Sequence, residues 1–261
     1  RDARSPYYRE SGLDETGIPA GPGRVPFDAR VANLIEPYRP AVVSFHFGLP
    51  APDLLARVKS WGTRVFASAT TIEEARWLEA RGVDAVIAQG LEAGGHRGHF
   101  LSDDLTRQAG TFSLLPQLVR ALHVPVIAAG GIADAAGVRA ALALGAAAVQ
   151  VGTAYLLCAE ATPHAVHRAA LAGDGATHTA LTNLFSGGVA RGIVNRLMRE
   201  LGPINALAPA FPLAAAAIAP LRAHAERAAC GDFSPLWAGQ NVSGCRPVAA
   251  AQLTRDLCGV G

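Results

Sequence analysis

Length, composition and charge place this chain among ordinary globular proteins. Its 261 residues are 50% hydrophobic and 17% charged, which is enough apolar material for one large core and suits a single α/β barrel domain. The net charge is +2 and the arginines are scattered, so nothing favours a nucleic-acid partner. The most apolar window, residues 207–221, is too short and too rich in proline to span a membrane.

The predicted elements alternate along the chain. Residues 1–40 hold six prolines and four glycines with little hydrophobic periodicity, which predicts an extended connector. Apolar runs then predict strands, and helical spacing predicts helices between them. The predicted strands are 41–48, 63–70, 84–90, 124–131 and 146–153, and the predicted helices are 51–62, 71–82, 111–123 and 134–145. After residue 153 the sequence is mostly helical.

Strands that are apolar along their whole length, alternating with helices, predict a parallel sheet covered by helices. Each strand ends on small or polar residues, and in such folds the carboxyl ends of the strands form the site. His46 ends the first strand, between two phenylalanines. It is either a catalytic base or a core histidine bound to a backbone carbonyl, and His164, His167 and His178 are interpreted as solvated.

Two glycine sites favour a phosphate-binding edge. Gly130 and Gly131 end one predicted strand, and Gly152 with Thr153 ends the next. Backbone N–H groups and a helix N-terminus at such ends bind phosphate. The run AQGLEAGGHRG, residues 88–98, is open to two interpretations. It is either a ligand loop or a solvated surface turn.

The segments VVSFHFGLP, AQGLEAGGHRG and AAGGIADAAGVRAALALGAAAVQVGTAYL, in this order, resemble the nitronate monooxygenases, formerly called 2-nitropropane dioxygenases. The segments PLWAGQ (235–240) and ARGIVN (190–195) are similar to that family as well. The resemblance implies an FMN enzyme on a TIM (β/α)8-type barrel with a smaller, mostly helical domain. It further implies oxidation of alkyl nitronates by O₂ to a carbonyl compound and nitrite.

By this resemblance His46 is the active-site histidine, which either takes a proton from a neutral nitroalkane or holds the anionic nitronate. The residues implied to bind FMN are Gln89, Gly94, Gly95, Gly130, Gly131, Gln150, Val151, Gly152 and Thr153. The residues implied to line the substrate pocket are His96, Trp237 and Gln240. A metal, a nucleic acid and a membrane are not expected, whereas a cytoplasmic location is, and a homodimer is left open.

The corresponding segments are a connector over 1–40, an FMN-binding barrel portion over 41–172, a helical lid domain over 173–229, and a return to the barrel over 230–261. Two departures from the family pattern stand out. Five barrel strands are predicted where eight are needed, so about three βα units are expected upstream. Gly188 and Val189 stand where the family usually has Arg-Pro. Two alternatives stay open, an NADH-dependent quinone or enoyl-thioester reductase and a truncated chain without activity.

Overall fold

The computed structural model describes residues 3–16 and 25–259. The strands are β1 (Val42–Phe45), β2 (Arg64–Ala69), β3 (Ala85–Gln89), β4 (Gly95–His96), β5 (Val126–Ala129), β6 (Ala148–Gln150), β7 (Thr179–Thr182) and β8 (Ala190–Ile193). The helices are α1 (Ser5–Glu10), α2 (Ala29–Ile35), α3 (Pro52–Ser60), α4 (Ile72–Glu79), α5 (Thr111–Ala121), α6 (Ala135–Ala143), α7 (Ala165–Ala172), α8 (Arg196–Leu201), α9 (Ala214–Arg227) and α10 (Ala250–Cys258).

Five parallel strands form the main sheet in the order β1-β2-β3-β5-β6. They match the five predicted strands, and each is shorter by one or more residues at its ends. Alternating α-helices and parallel strands confirm the predicted α/β class. Because all five run the same way, their carboxyl ends meet at one edge, where Gln89 ends β3 and His46, Gly130 and Gly152 follow their strands.

The core lies between this sheet and the helices α3 to α5. Strand residues such as Val65 and Val86 pack against Leu78, Leu115 and Leu118, all of them almost fully buried. Removing this apolar surface from water contributes roughly 1.5–3 kcal/mol for each fully buried aliphatic side chain. Thr71 and Asp134 accept backbone N–H groups at the starts of α4 and α6 and so cap these helices.

A second sheet joins the barrel portion to the following segment. It is antiparallel, in the order β4-β8-β7, and β4 comes from the loop after β3. The expectation of a mostly helical domain over 173–229 is therefore only partly right, since its first part pairs as strands before α8 and α9. The short runs at 179–182 and 190–193 carry glycine and polar residues, so the sequence did not distinguish them from loops.

The prediction of an extended connector over 1–40 is wrong where the structure describes that segment. Residues 5–10 and 29–35 are helical, and Asp28 caps the second helix. Tyr7 and Tyr8 are buried in a cluster with Leu197, Leu221 and Phe233. Tertiary burial of these aromatic rings, rather than local periodicity, stabilises α1. Residues 1–2 and 17–24 of the predicted connector lie outside the described residues.

The C-terminal segment 230–261 passes the carboxyl edge of the main sheet. Trp237 pairs with Gly192 through an antiparallel bridge, and the Gly239 N–H donates to Thr153 Oγ1 at 2.9 Å. Helix α10 then buries Leu253 and Leu257 beside Ala154 and Cys158. Within residues 3–16 and 25–259, no helix is long and apolar enough to cross a bilayer.

Candidate active site

A cavity of about 400 Å³ opens at the carboxyl edge of the main sheet. Residues from four of the parallel strands, from the loops that follow them and from the C-terminal segment enclose it. Its lining comprises His46, Ser68, Ile87, Gln89, Glu92, Ala93, Gly94, Gly95, Ala129, Gly130, Gly131, Ile132, Gln150, Gly152, Thr153, Leu156, His167, Trp237, Gly239 and Asn241. Ten of the thirteen residues predicted to bind FMN or substrate, or to act as the base, therefore line one cavity.

His46 is held at the end of β1 by an abrupt turn. The next two residues, Phe47 and Gly48, both have positive φ, 67° and 87°. A left-handed phenylalanine is strained by roughly 1–2 kcal/mol, and its ring offsets this by packing edge-on against His46 at 4.5 Å between centroids. Gly98 leaves room for the imidazole, because a Cβ there would lie 2.6 Å from His46 Cε1.

The tautomer of His46 follows from its partner. Nε2 lies 3.3 Å from the backbone oxygen of His96, and since a carbonyl only accepts, Nε2 carries the proton. In the neutral ring Nδ1 then holds the lone pair. Desolvation by the surrounding atoms lowers the pKa of His46 below its usual range, the His96 carbonyl opposes that shift, and Arg97 and His99 add to it. The imidazole is thus neutral, and basic at Nδ1, near pH 7.

Arg97 and Gln89 fix the loop that follows β3. Arg97 is fully buried and donates to Gln108 Oε1 at 2.8 Å, the Gly90 oxygen at 2.6 Å and the Gln89 oxygen at 2.7 Å. Gln89 Nε2 donates to the His96 oxygen at 2.9 Å, and its Oε1 accepts from the Gly98 N–H at 2.7 Å. The idea of a solvated surface turn at 88–98 is wrong, because these buried bonds fold the loop inward.

The predicted ligand-binding glycines fall into two groups. A Cβ at Gly94 would lie 2.5 Å from the Gly239 nitrogen, and one at Gly130 would lie 2.9 Å from Thr111 Oγ1. These two glycines therefore let chain segments approach each other. A Cβ at Gly95 or Gly152 would meet nothing within 4 Å. The backbone at those two positions faces open space in the cavity, which is where a ligand group fits.

Gln150, Gly152 and Thr153 line the cavity, whereas the Val151 side chain packs against the apolar cluster of α10. Residues alternate sides along a strand, so a side chain between two cavity residues points away. Thr153 Oγ1 accepts from the Gly239 N–H and keeps its own proton for a further acceptor. Gly131 has φ 74°, and its carbonyl accepts from Asn241 Nδ2 at 3.0 Å.

Of the three residues predicted to line the substrate pocket, the structure places one in the cavity lining. Trp237 lines the cavity, and the His96 ring lies 5.5 Å from it between centroids. His96 Nε2 is 2.7 Å from Ser186 Oγ, which in turn donates to the Gly188 oxygen. His96 therefore stands beside the cavity rather than in its lining. Gln240 is exposed, and its contact with the loop after β3 is made by its backbone N–H, which donates to the Glu92 oxygen at 2.9 Å.

Several lining residues were not predicted. His167 was interpreted as solvated, yet it lines the cavity and its Nε2 lies 3.0 Å from the Trp237 oxygen, with burial lowering its pKa. The Glu92 carboxylate accepts from the Thr111 N–H at 2.8 Å and from Thr111 Oγ1 at 3.0 Å. Asn241 directly follows PLWAGQ, so the position of that segment could have predicted Asn241 as a cavity residue. No sequence pattern indicated His167, because α7 brings it to the cavity only through tertiary packing.

The chain is similar in sequence to a known protein family. The model of the family described as nitronate monooxygenase matches residues 12–259. The chain belongs to the nitronate monooxygenase family. A nitronate monooxygenase of Pseudomonas aeruginosa is 46% identical over 231 residues, which cover 88% of this chain and 66% of that protein. One of Paraburkholderia phytofirmans is 44% identical, with 88% and 63% covered. The chain thus spans slightly less than two thirds of these relatives' length.

Solved structures agree with the family assignment. A nitroalkane oxidase from Streptomyces ansochromogenes superposes with a TM-score of 0.87 at 38% identity, covering 99% of this chain and 74% of the other. FabK from Thermotoga maritima gives a TM-score of 0.67 at 28% identity, covering 90% and 72%. These likenesses confirm the predicted fold type and the family resemblance of the motifs.

Groups of acidic, cysteine or histidine side chains that suit a metal ion are absent from the described residues.

Proposed function

We propose that the chain carries the catalytic site of a nitronate monooxygenase, which oxidises an alkyl nitronate with O₂ to a carbonyl compound and nitrite. The observation that carries the proposal is His46. A neutral imidazole, protonated at Nε2 and basic at Nδ1, stands at the edge of a cavity whose wall includes open glycine backbone. Family membership supports the same reaction class.

The residues around the cavity fit FMN. Open space beside Gly95 and Gly152 leaves room for a ligand against the backbone. The first N–H groups of the 3₁₀ turn Thr153–Leu157 have no partner within the turn, and the Thr153 hydroxyl still has a proton to donate, so both suit a phosphate. Gln89 uses one N–H and one lone pair of its amide for the loop, and the amide has one more of each for a ring edge. Gln89, Gly131, Gly152 and Thr153 would hold FMN, which supplies the redox chemistry.

His46 acts on the substrate in two ways. With a neutral nitroalkane, Nδ1 takes the proton from the carbon next to nitrogen, because the neutral ring has its lone pair at that atom. With a preformed nitronate, the negative charge beside Nδ1 favours the protonated imidazole, which then holds the anion by a charge-assisted hydrogen bond. The bond to the His96 oxygen keeps the ring facing the cavity in both cases.

The cofactor assignment is tested by Gly152→Leu. The backbone there has φ −117°, which an L residue adopts, and the space beside it is open. The new side chain would therefore fill the cavity without disturbing the fold, and FMN affinity should fall roughly tenfold or more. The matched control is Gly175→Leu, since Gly175 lies in an exposed turn, also with nothing within 4 Å. Unchanged FMN binding, measured by quenching of flavin fluorescence, would exclude a cofactor at Gly152.

The activity is tested by the visible spectrum of the purified chain supplied with FMN, followed by anaerobic addition of ethyl nitronate without NADH. A flavin spectrum that changes on addition supports the reaction class. Bleaching by NADH alone would instead favour the reductase alternative, and a chain that takes up no FMN would favour the inactive one. O₂ as co-substrate, a homodimer and a cytoplasmic location stay predictions.

A further inference from the structure

Ser68 places a hydroxyl group beside His46 in the cavity wall. Strands β1 and β2 pair Phe45 with Ala67, so the next positions along the register are His46 and Ser68. Ala67 and Ala69 belong to the main core, and a side chain between them points to the opposite face of the sheet. His46 and Ser68 accordingly both line the cavity.

The side chains of His46 and Ser68 are close neighbours. A Cβ at Gly98 would lie 2.9 Å from His46 Nδ1 and 3.2 Å from Ser68 Cβ. Nδ1 and Ser68 Cβ are therefore no further apart than these two distances combined, which agrees with the spacing of roughly 5 Å between adjacent strands. A basic nitrogen and a hydroxyl at this separation can both contact one small molecule.

The Ser68 hydroxyl is buried without a hydrogen-bond partner. Ser68 is 6% exposed, and its Oγ forms no hydrogen bond with any residue in the described ranges 3–16 and 25–259. The buried hydroxyls of Thr70 and Thr111, by contrast, each donate to an acceptor, at 2.8 Å and 2.9 Å. Buried polar groups are generally paired, so an unpaired hydroxyl in a cavity wall is free to turn towards an acceptor on a bound molecule.

An anion in this cavity would depend on uncharged donors as well as on His46. Among the described residues that line it, none is lysine or arginine, and Glu92 is acidic. The buried Arg97 donates to backbone oxygens of its own loop. Nε2 of His46 faces the His96 oxygen, so the protonated ring offers an anion only the N–H at Nδ1. A second oxygen of the same anion would need another donor to offset its lost hydration.

We propose that Ser68 is a further catalytic residue, whose hydroxyl donates a hydrogen bond to an oxygen of the nitro group. When His46 Nδ1 takes the proton from the adjacent carbon, the electron pair of the C–H bond forms the C=N double bond. The negative charge then collects on the two nitro oxygens. A nitronate oxygen accepts a hydrogen bond more strongly than a neutral nitro oxygen, so the bond strengthens as the charge develops and lowers the barrier. This inference rests on the proposed function, because it places the nitro group beside His46.

An unreactive anion tests this hydrogen bond without turnover. Propanoate has the planar, two-oxygen, singly charged group of a nitronate, and calorimetry measures its binding to the chain with saturating FMN. Ser68→Ala should raise the Kd of propanoate roughly tenfold or more, because a hydrogen bond to a charged acceptor is lost. The matched control is Ser113→Ala, since Ser113 is exposed on α5 and lies outside the cavity lining. An unchanged Kd in Ser68→Ala, or no measurable binding of propanoate to the wild-type chain, would overturn the proposal.

Steady-state kinetics separates catalysis by Ser68 from packing. With neutral nitroethane, Ser68→Ala should lower kcat roughly ten- to hundredfold with little change in KM, because the bond gains its strength as the charge forms. With ethyl nitronate, which already carries the charge, the same variant should chiefly raise KM. Ser68→Cys retains a side chain of similar shape but has only a weak donor, so it should resemble Ser68→Ala. Wild-type constants in Ser68→Cys, or equal losses of kcat with both substrates, would indicate a packing role and refute the assignment.

The outcome is separable from that of the proposed function. Nitronate turnover and propanoate binding are measured on the same preparations. Turnover that Ser68→Ala leaves unchanged would refute only the role of Ser68. Propanoate binding that depends on Ser68, in a chain that turns over no nitronate, would refute the oxidation proposal and leave Ser68 as an anion-binding residue.

Discussion

Replacing Arg97 with methionine should destabilise the protein severely. The guanidinium is 0% exposed and makes three hydrogen bonds of 2.6–2.8 Å, to two backbone oxygens and to Gln108. Burial lowers its pKa only to about 10, so it is cationic at neutral pH. Methionine fills a similar volume but takes this donor away from the oxygens of Gln89 and Gln108, while the Gly90 oxygen keeps the N–H of Ala93. Each of the two orphaned oxygens costs roughly 1–3 kcal/mol and the lost bond to Gly90 about 1 kcal/mol, offset in part because a buried charge is also removed, so about 3–5 kcal/mol should be lost.

Urea denaturation and thermal melting measure this loss. For a chain of this size the melting temperature should fall by roughly 6–20 °C. FMN affinity should fall as well, because Arg97 holds the oxygens of Gln89 and Gly90 at the cavity. The control is Arg107→Met, since Arg107 is half exposed and pairs with Glu73 at the surface, and such surface pairs contribute little. A loss below about 1 kcal/mol for Arg97→Met would refute the claim that this buried network stabilises the loop.

Two further predictions concern His46 and Asn195. Because desolvation lowers the pKa of His46, kcat/KM with neutral nitroalkanes should decline only as the pH falls below the usual imidazole range. The stability contributed by the neutral ring should be lost over the same fall in pH. His46→Ala should remove this acid limb of the kcat/KM profile while retaining FMN, and an acid limb that survives would belong to another group. Asn195→Ala should lower the free energy of unfolding by about 2–4 kcal/mol, because the Asn195 side chain caps α8 and donates to the oxygens of Gly231 and Ser234. Urea denaturation measures this change, and a decrease of less than about 0.5 kcal/mol would contradict that role.

Local sequence patterns were enough to predict the parallel strands and most of the residues that line the cavity. Apolar runs and helical spacing are short-range patterns, so the five strands were predicted within a few residues. The strand ends then named His46, Gln89 and the glycine sites, because parallel strands bring their carboxyl ends together.

Other features depend on contacts between distant segments. Helix α1 forms because its tyrosines are buried by residues some 190 positions later. The pairing of β4 with β8, and the approach of His167 to Trp237, likewise join segments with no shared periodicity.

Residue type and spacing thus determined the fold class, the family and the strand ends that carry the chemistry. Only the tertiary structure decided what each glycine does, since Gly94 and Gly130 admit neighbouring chain whereas Gly152 faces open cavity. It alone showed that a Cβ at Gly188 would lie 3.0 Å from Phe211 Cδ2. The physical reason is that a glycine's role depends on which atoms occupy the space where its side chain would be, and those atoms belong to segments far away in the sequence.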